Sequence, residues 1–156
     1  MLGSGVQASS FELPDLDSKS RSLGEMMADG KPLLLVFFKV SCPVCQLVFP
    51  FLERMASGGG ELRFVAISQD DAAATRNFHQ RFGVTFPTLL DRARAGYPVS
   101  NAFQITNVPS LFLIEPDGAI SLAISGFSRR DLEALGKRSG AQPFRPGEQV
   151  PEWKAG

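Results

Sequence analysis

The sequence predicts an α/β domain. A mixed central sheet is flanked by helices, with an N-terminal β-hairpin at one end and a short α/β insertion before the last strands. The continuous apolar run Pro32 to Phe38 and the stretch Leu62 to Ile67, apolar apart from Arg63, have strand length, and each is followed by a stretch of helical spacing. That is the pattern of parallel strands joined by crossover helices. Two further strands flank the turn Glu115-Pro116-Asp117-Gly118, so the sheet closes on a hairpin and not on another crossover. The 156 residues, 44% hydrophobic and 21% charged, suffice for one domain with an ordinary core.

Each element has a local reason. Phe11-Glu12-Leu13 alternates and stops at Pro14-Asp15, which predicts a strand hairpinned to a second at Ser20 to Ser22. Ser22 and Glu25 have capping-box spacing, predicting a helix over Leu23 to Asp29 that stops at Gly30. Unbroken apolarity from Pro32 to Phe38 marks a central strand buried on both faces. A helix begins near Cys42, with Pro43 tolerated in its first turn. Leu47, Val48, Phe51, Leu52 and Met55 form its apolar stripe, Pro50 should kink it, and Ser57-Gly58-Gly59-Gly60 ends it. After the strand Leu62 to Ile67, Asp70 is the expected cap of a helix over 71–82, ended by Gly83. Thr88-Leu89-Leu90 is a short strand and Tyr97 to Phe103 a short helix. Strands Leu111 to Ile114 and Ile120 to Ser125 follow, and Ser128 caps a last helix to Arg138. The expected organisation is a flexible N-terminus over 1–10, a domain over 11–139 and a Pro/Gly-rich extended tail over 140–156.

Sixteen basic and sixteen acidic residues cancel, which argues against a nucleic-acid surface. No stretch is long enough to span a membrane. Met1-Leu2-Gly3-Ser4-Gly5 has neither a basic nor an apolar signal region and could remain after a signal or anchor was removed. The two cysteines, Cys42 and Cys45, are too few for a disulfide framework. They stand between the apolar strand and the helix that follows it. The first amide N–H groups of a helix lack intrahelical partners, and the dipole is positive there. A thiolate at that end is stabilised and becomes a usable nucleophile near neutral pH. A second cysteine one turn on can attack the mixed disulfide that results.

Four segments resemble one family in order. They are Phe11-Glu12-Leu13-Pro14-Asp15-Leu16, the run from Phe37 through Ser41-Cys42-Pro43-Val44-Cys45, Phe49-Pro50, and the run from Phe103 through Val108-Pro109 to Gly118. Together they resemble the thioredoxin-fold thiol–disulfide oxidoreductases of the TlpA/ResA type, relatives of the alkyl hydroperoxide reductases. The resemblance covers about Phe11 to Lys137, and the Phe86-Pro87-Thr88 insertion favours this branch over plain thioredoxin. It implies a thioredoxin-like fold, a cis peptide before Pro109, and Pro109 lying beside Cys42. It further implies that Val108 and Pro109, with Pro43 and Val44, form the surface that holds a partner's extended segment as an added strand. By the same resemblance no cofactor or metal is required. The partners would be protein thiols and disulfides and an upstream redox protein, met by a monomer, soluble or anchored by a segment absent from this chain. The setting would be bacterial and extracytoplasmic, with a cytoplasmic one still open.

The sequence also departs from that family. Ser41 replaces a common Trp, Val36 stands where thioredoxin has a buried acid, and Val48 stands where ResA-like relatives carry a Glu. The expectation is a site without a buried carboxylate base, in which Cys45 loses its proton to water or to the leaving thiolate. Ser41 and Lys39 are candidate tuners of the thiolate, although Lys39 could equally snorkel to solvent. A peroxidase reading lacks the upstream hydroxyl residue, since Leu35 and Lys39 occupy those positions. A copper-carrying reading would need His79, which sits mid-helix between Phe78 and Gln80. A binding module with lapsed chemistry would not need both cysteines intact.

Overall fold

The computed structural model describes residues 1–156. A hairpin of β1 (Glu12–Pro14) and β2 (Ser20–Ser22) opens it and leads into α1 (Leu23–Met26). Next come β3 (Leu33–Phe38), α2 (Pro43–Ala56), β4 (Arg63–Ser68), α3 (Ala72–Phe82) and β5 (Thr88–Leu90). A 3₁₀ turn (Ala93–Ala95) and α4 (Pro98–Ala102) form the insertion. The chain closes with β6 (Ser110–Ile114), β7 (Ile120–Ser125), β8 (Phe127–Ser128), α5 (Arg129–Ser139) and β9 (Trp153–Lys154).

The main sheet has the order β5-β4-β3-β6-β7. β3 pairs parallel with β4 and antiparallel with β6, in the register Phe37 opposite Ser110. All six residues of β3 are buried, as its unbroken apolarity requires. Its side chains alternate between two cores. Leu34, Val36 and Phe38 pack with α2, α3 and α5, whereas Leu33, Leu35 and Phe37 pack with the opening hairpin, α1 and α4. Both parallel crossovers, through α2 and through α3, lie on the first of these faces, and one hand of crossover produces that placement. Each core contains a cluster of phenylalanine rings. Phe38, Phe49 and Phe78 form one triangle of rings, with centroids 4.5 to 5.1 Å apart. Phe37, Phe103 and Phe112 form another on the opposite face, at 5.1 to 5.8 Å.

Some boundaries differ from the sequence reading. α1 ends at Met26, short of Asp29, because Gly24 weakens a helix that has no apolar face left to bury beyond Met27. α3 is capped by Asp71, whose Oδ1 accepts the Ala74 N–H at 2.8 Å. The Asp70 carboxylate is occupied elsewhere, accepting the Val40 N–H at 2.8 Å. α2 is one helix that runs through Pro50. α4 has no side-chain cap of its own. A distant residue serves instead: the fully buried Asp91 carboxylate accepts from Val99 N, Ser100 N and Ser100 Oγ.

Residues 140–156 fold back over α2 and α5. The Phe144 ring sits 4.9 Å from that of Phe51. Arg54 makes a two-pronged pair with Glu148, at 2.7 and 2.8 Å. β9 pairs antiparallel with β8, setting Phe127 opposite Lys154. Residues 2–8 bond along the other end of the sheet, Gly5 N–H to Ile120 O at 2.7 Å and Ala8 N–H to Gly118 O at 2.9 Å.

Two outcomes follow from this packing. Phe49 is fully buried against three other rings, so Phe49→Ala should cost about 3–5 kcal/mol in denaturant unfolding. A loss under about 1 kcal/mol would mean that the ring cluster collapses freely around the hole. Arg54, with the Arg145 N–H, holds the Glu148 carboxyl at about 2, below its ordinary 4.5. A carboxyl depressed in the folded state stabilises above its unfolded value, and that contribution goes as the pH falls through the folded one. Emission from Trp153, the only tryptophan, should therefore shift between pH 4.5 and about 2, and Glu148→Gln should show the shifted emission already at neutral pH. Identical spectra for the two proteins throughout would disconnect this pair from the tail.

Candidate active site

β3 ends at Phe38, and the four residues after it turn the chain into α2. Cys42 is the N-cap of that helix, and its Sγ receives the Cys45 N–H at 3.2 Å. The helix does not need another cap, because sulfur takes the place that a Ser or Asp oxygen usually fills. Pro43 occupies the first helical position, where its missing N–H leaves nothing unpaired. Ser41 and Pro43 are exposed, Cys42 and Val44 half-buried and Cys45 fully buried. Both cysteines are free thiols.

The antiparallel register of β3 and β6 brings the entrance of β6 beside this turn. The Val108–Pro109 peptide is cis, and the Cys42 thiol donates to Val108 O at 3.4 Å. Pro109 is buried and Val108 half-buried. The structure therefore brings Cys42, Cys45, Val108 and Pro109 together. Lys39 points its ammonium at the Tyr97 ring, 5.9 Å from the centroid. His79 bonds Thr88 Oγ1 at 2.8 Å instead of facing open solvent. Burial, and then the charge of Arg76, push its imidazole below the ordinary range.

Burial pushes the Cys45 thiol far up. Its bond to Cys42 adds to that, the Lys39 backbone N–H pulls part of it back, and the charges of Cys42 and Asp70 raise it further. The place of Asp70 at this turn is what sequence reasoning missed, having assigned it to the cap of α3. Two adjacent aspartates follow β4, and one helix start can use only one of them as its cap. The other turns toward the end of β3 and bonds Val40 N–H, two residues before Cys42. Gln46 Nε2 braces the same residue from α2, donating to Val40 O at 2.9 Å. The turn that presents the thiol is thus held at both polar groups of Val40.

The AhpC/TSA family profile matches residues 4–123. The chain belongs to that family. Among curated proteins, this AhpC/TSA chain is 30% identical over 129 residues to the thiol-disulfide oxidoreductase ResA of Bacillus subtilis, covering 80% of this chain and 69% of that protein. It is 30% identical over 131 residues to the methylamine utilization protein MauD of Paracoccus denitrificans, covering 84% of this chain and 63% of that one. Among solved structures, a DsbE-type thiol:disulfide interchange protein of Chlorobium tepidum superposes with a TM-score of 0.76 at 23% identity, over 92% of this chain and all of the other. The fold is thioredoxin-like, and within AhpC/TSA the chain is of the TlpA/ResA-like, thiol–disulfide oxidoreductase kind.

Asp70→Asn keeps an acceptor for Val40 N–H and removes a charge, so Cys45 should deprotonate at lower pH than in the wild type. Thiolate absorbance in a Cys42→Ser background reads this directly. Asp70→Ala should in addition cost about 1–3 kcal/mol by orphaning a partly buried amide. A Cys45 titration that is the same with Asp and with Asn at position 70 would remove this carboxylate from the site.

Proposed function

We propose that Cys42 is the attacking thiol and Cys45 the resolving thiol in disulfide exchange with protein partners. The observation that carries this reading is the Cys42 sulfur at the start of α2, taking the Cys45 N–H and lying 3.4 Å from Val108 O beside the cis proline. The Cys42 thiolate attacks one sulfur of a partner disulfide. A new S–S bond forms, the partner's own bond breaks, and its second sulfur leaves as a thiolate that takes up a proton. The backbone of Val108 pairs with the partner's extended segment and aligns the three sulfurs. Cys45 then attacks the Cys42 sulfur, the bond from Cys42 to the partner breaks, and the partner sulfur held in that bond leaves with the proton that Cys45 gives up. The partner leaves as a dithiol, and a Cys42–Cys45 disulfide remains. The reverse sequence oxidises the partner, and reduction potential decides between the two directions.

The causes that act on Cys45 support an ordered sequence. While Cys42 is free, burial, its bond to Cys42 and the Cys42 charge all hold Cys45 protonated. Once the Cys42 sulfur is bound to the partner, its negative charge is gone. Cys45 then becomes more acidic at the step where it must attack.

In this reading the residues over 11–139 act as the catalytic body and those over 140–156 as an appended segment. Pro43 and Val44 lie at the rim where a partner docks, with Ser41 beside them. Lys39 acts on this rim through Tyr97 and less through the thiol. The protein works as a monomer alongside an upstream redox partner, in an extracytoplasmic compartment where its relatives' disulfide chemistry is at home. No helix is long and apolar enough to cross a membrane.

Cys42→Ser should reduce insulin disulfides no faster than the uncatalysed background. Cys45→Ser should instead accumulate a mixed disulfide with the partner, visible on non-reducing gels and reversed by dithiothreitol. If Cys42→Ser and wild type reduce insulin equally fast, the chemistry is not at this motif.

A further inference from the structure

The segment after Pro151 brings Gly156 onto the carbonyl that faces the reactive thiol. β9 runs antiparallel to β8, so as β9 moves forward past Lys154 it tracks back along the chain from Phe127 to Gly126. Gly126 donates its N–H to Pro109 O at 2.9 Å and so adjoins the cis-proline turn. The tail lies directly over it. A Cβ added to Gly126 would collide with Lys154 O and stand 2.9 Å from Gly156 N. Gly156 makes an equally close approach one step further on. A Cβ there would collide with Val108 O and stand 2.8 Å from Asn107 Nδ2 and 2.9 Å from Val108 C. Val108 O is the atom to which the Cys42 thiol donates.

The segment is tied to the body at Glu152 and more lightly beyond it. Glu152 is tied to Arg129 twice, by Arg129 N–H to Glu152 O at 3.0 Å and by a charge pair at 3.1 Å. Beyond it the ladder is two residues long, and Trp153 is 62% exposed. A tethered strand with so short a ladder can be lifted off without disturbing the body.

We propose that Trp153–Gly156 is a specificity element for disulfide exchange. It covers the Val108 backbone on which an extended polypeptide must pair, and it leaves the half-buried Cys42 sulfur reachable by small disulfides. A protein partner must displace the segment before its sulfur can be aligned; a small disulfide that needs no backbone pairing does not. The apparent affinity for polypeptides is therefore reduced by the fraction of molecules in which the segment is down. This inference rests on the exchange reaction proposed above.

The test compares the wild type with two variants, one lacking residues 153–156 and one carrying Gly156→Ala. The first removes the cover. The second keeps β9 and forces its end away from Val108 by a backbone collision, so it reports even if the truncation perturbs folding. Each is assayed with a disulfide-linked peptide and with bis(2-hydroxyethyl) disulfide. Both variants should lower KM for the peptide by about fivefold or more, with KM for the small disulfide held within about twofold. Equal peptide KM in all three proteins, with exchange intact, overturns this inference and leaves the reaction standing. Absence of exchange with either disulfide in the wild type overturns the reaction, and the inference falls with it.

Discussion

The pairing of β3 with β6 is the constraint on which the site depends. The two strands are antiparallel, so the chain leaves one where it enters the other. That brings the turn after Phe38 beside the turn before Ser110. The thiol-to-carbonyl contact at 3.4 Å exists only in this register. A slip of one residue would move the cis-proline turn by about 3.4 Å and swap the faces of Leu111 and Phe112 between two filled cores. The rings of Phe37, Phe103 and Phe112 on one face, with Phe38, Phe49 and Phe78 on the other, make that slip costly. Core packing and the geometry of sulfur chemistry are thus secured by the same contacts.

Around that register the electrostatics are asymmetric. Cys42 sits at the rim with an amide donor, while Cys45 lies in an apolar wall with Val48, Phe49 and Leu52. One turn of helix separates a half-buried sulfur from a fully buried one whose burial holds it protonated. The usual acid positions of related sites hold Val36 and Val48 here, both fully buried core residues. Negative charge reaches Cys45 from another direction, through Asp70 at the end of β4. That carboxylate is also the acceptor that fixes Val40, so one side chain both shapes the turn and acts on the buried thiol.

Much of this was legible from the sequence because the relevant signals were local. The unbroken apolar run Pro32 to Phe38 pointed to a doubly covered strand, and the Cys-Pro-Val-Cys that follows it, with Pro43 in a first-turn position, pointed to the start of a helix. Ser22 and Ser128 announced their caps, and both accept the expected amides. Asp70 was misread because adjacent aspartates offer the same local signal, and the choice between them is made by Val40, thirty residues away in sequence. The tail was obscured for a similar reason. Its Pro and Gly content says nothing of where that stretch of chain lies. The Arg54–Glu148 pair and the β8–β9 ladder that place it are wholly non-local.

The buried carboxylate of Asp91 has a consequence for how this scaffold can change. It caps α4 from outside, across the exposed loop that includes Ala93, Arg94 and Gly96. The position of α4, and of Phe103 beyond it, is therefore set by a pin anchored at the end of β5 and not by the length of the chain between. Extra residues inserted into that loop would bulge into solvent, and the cost of closing a longer loop grows slowly with its length. The insertion is a splice point. New sequence can enter the fold there while the β3–β6 register that aligns sulfur and carbonyl is inherited unchanged.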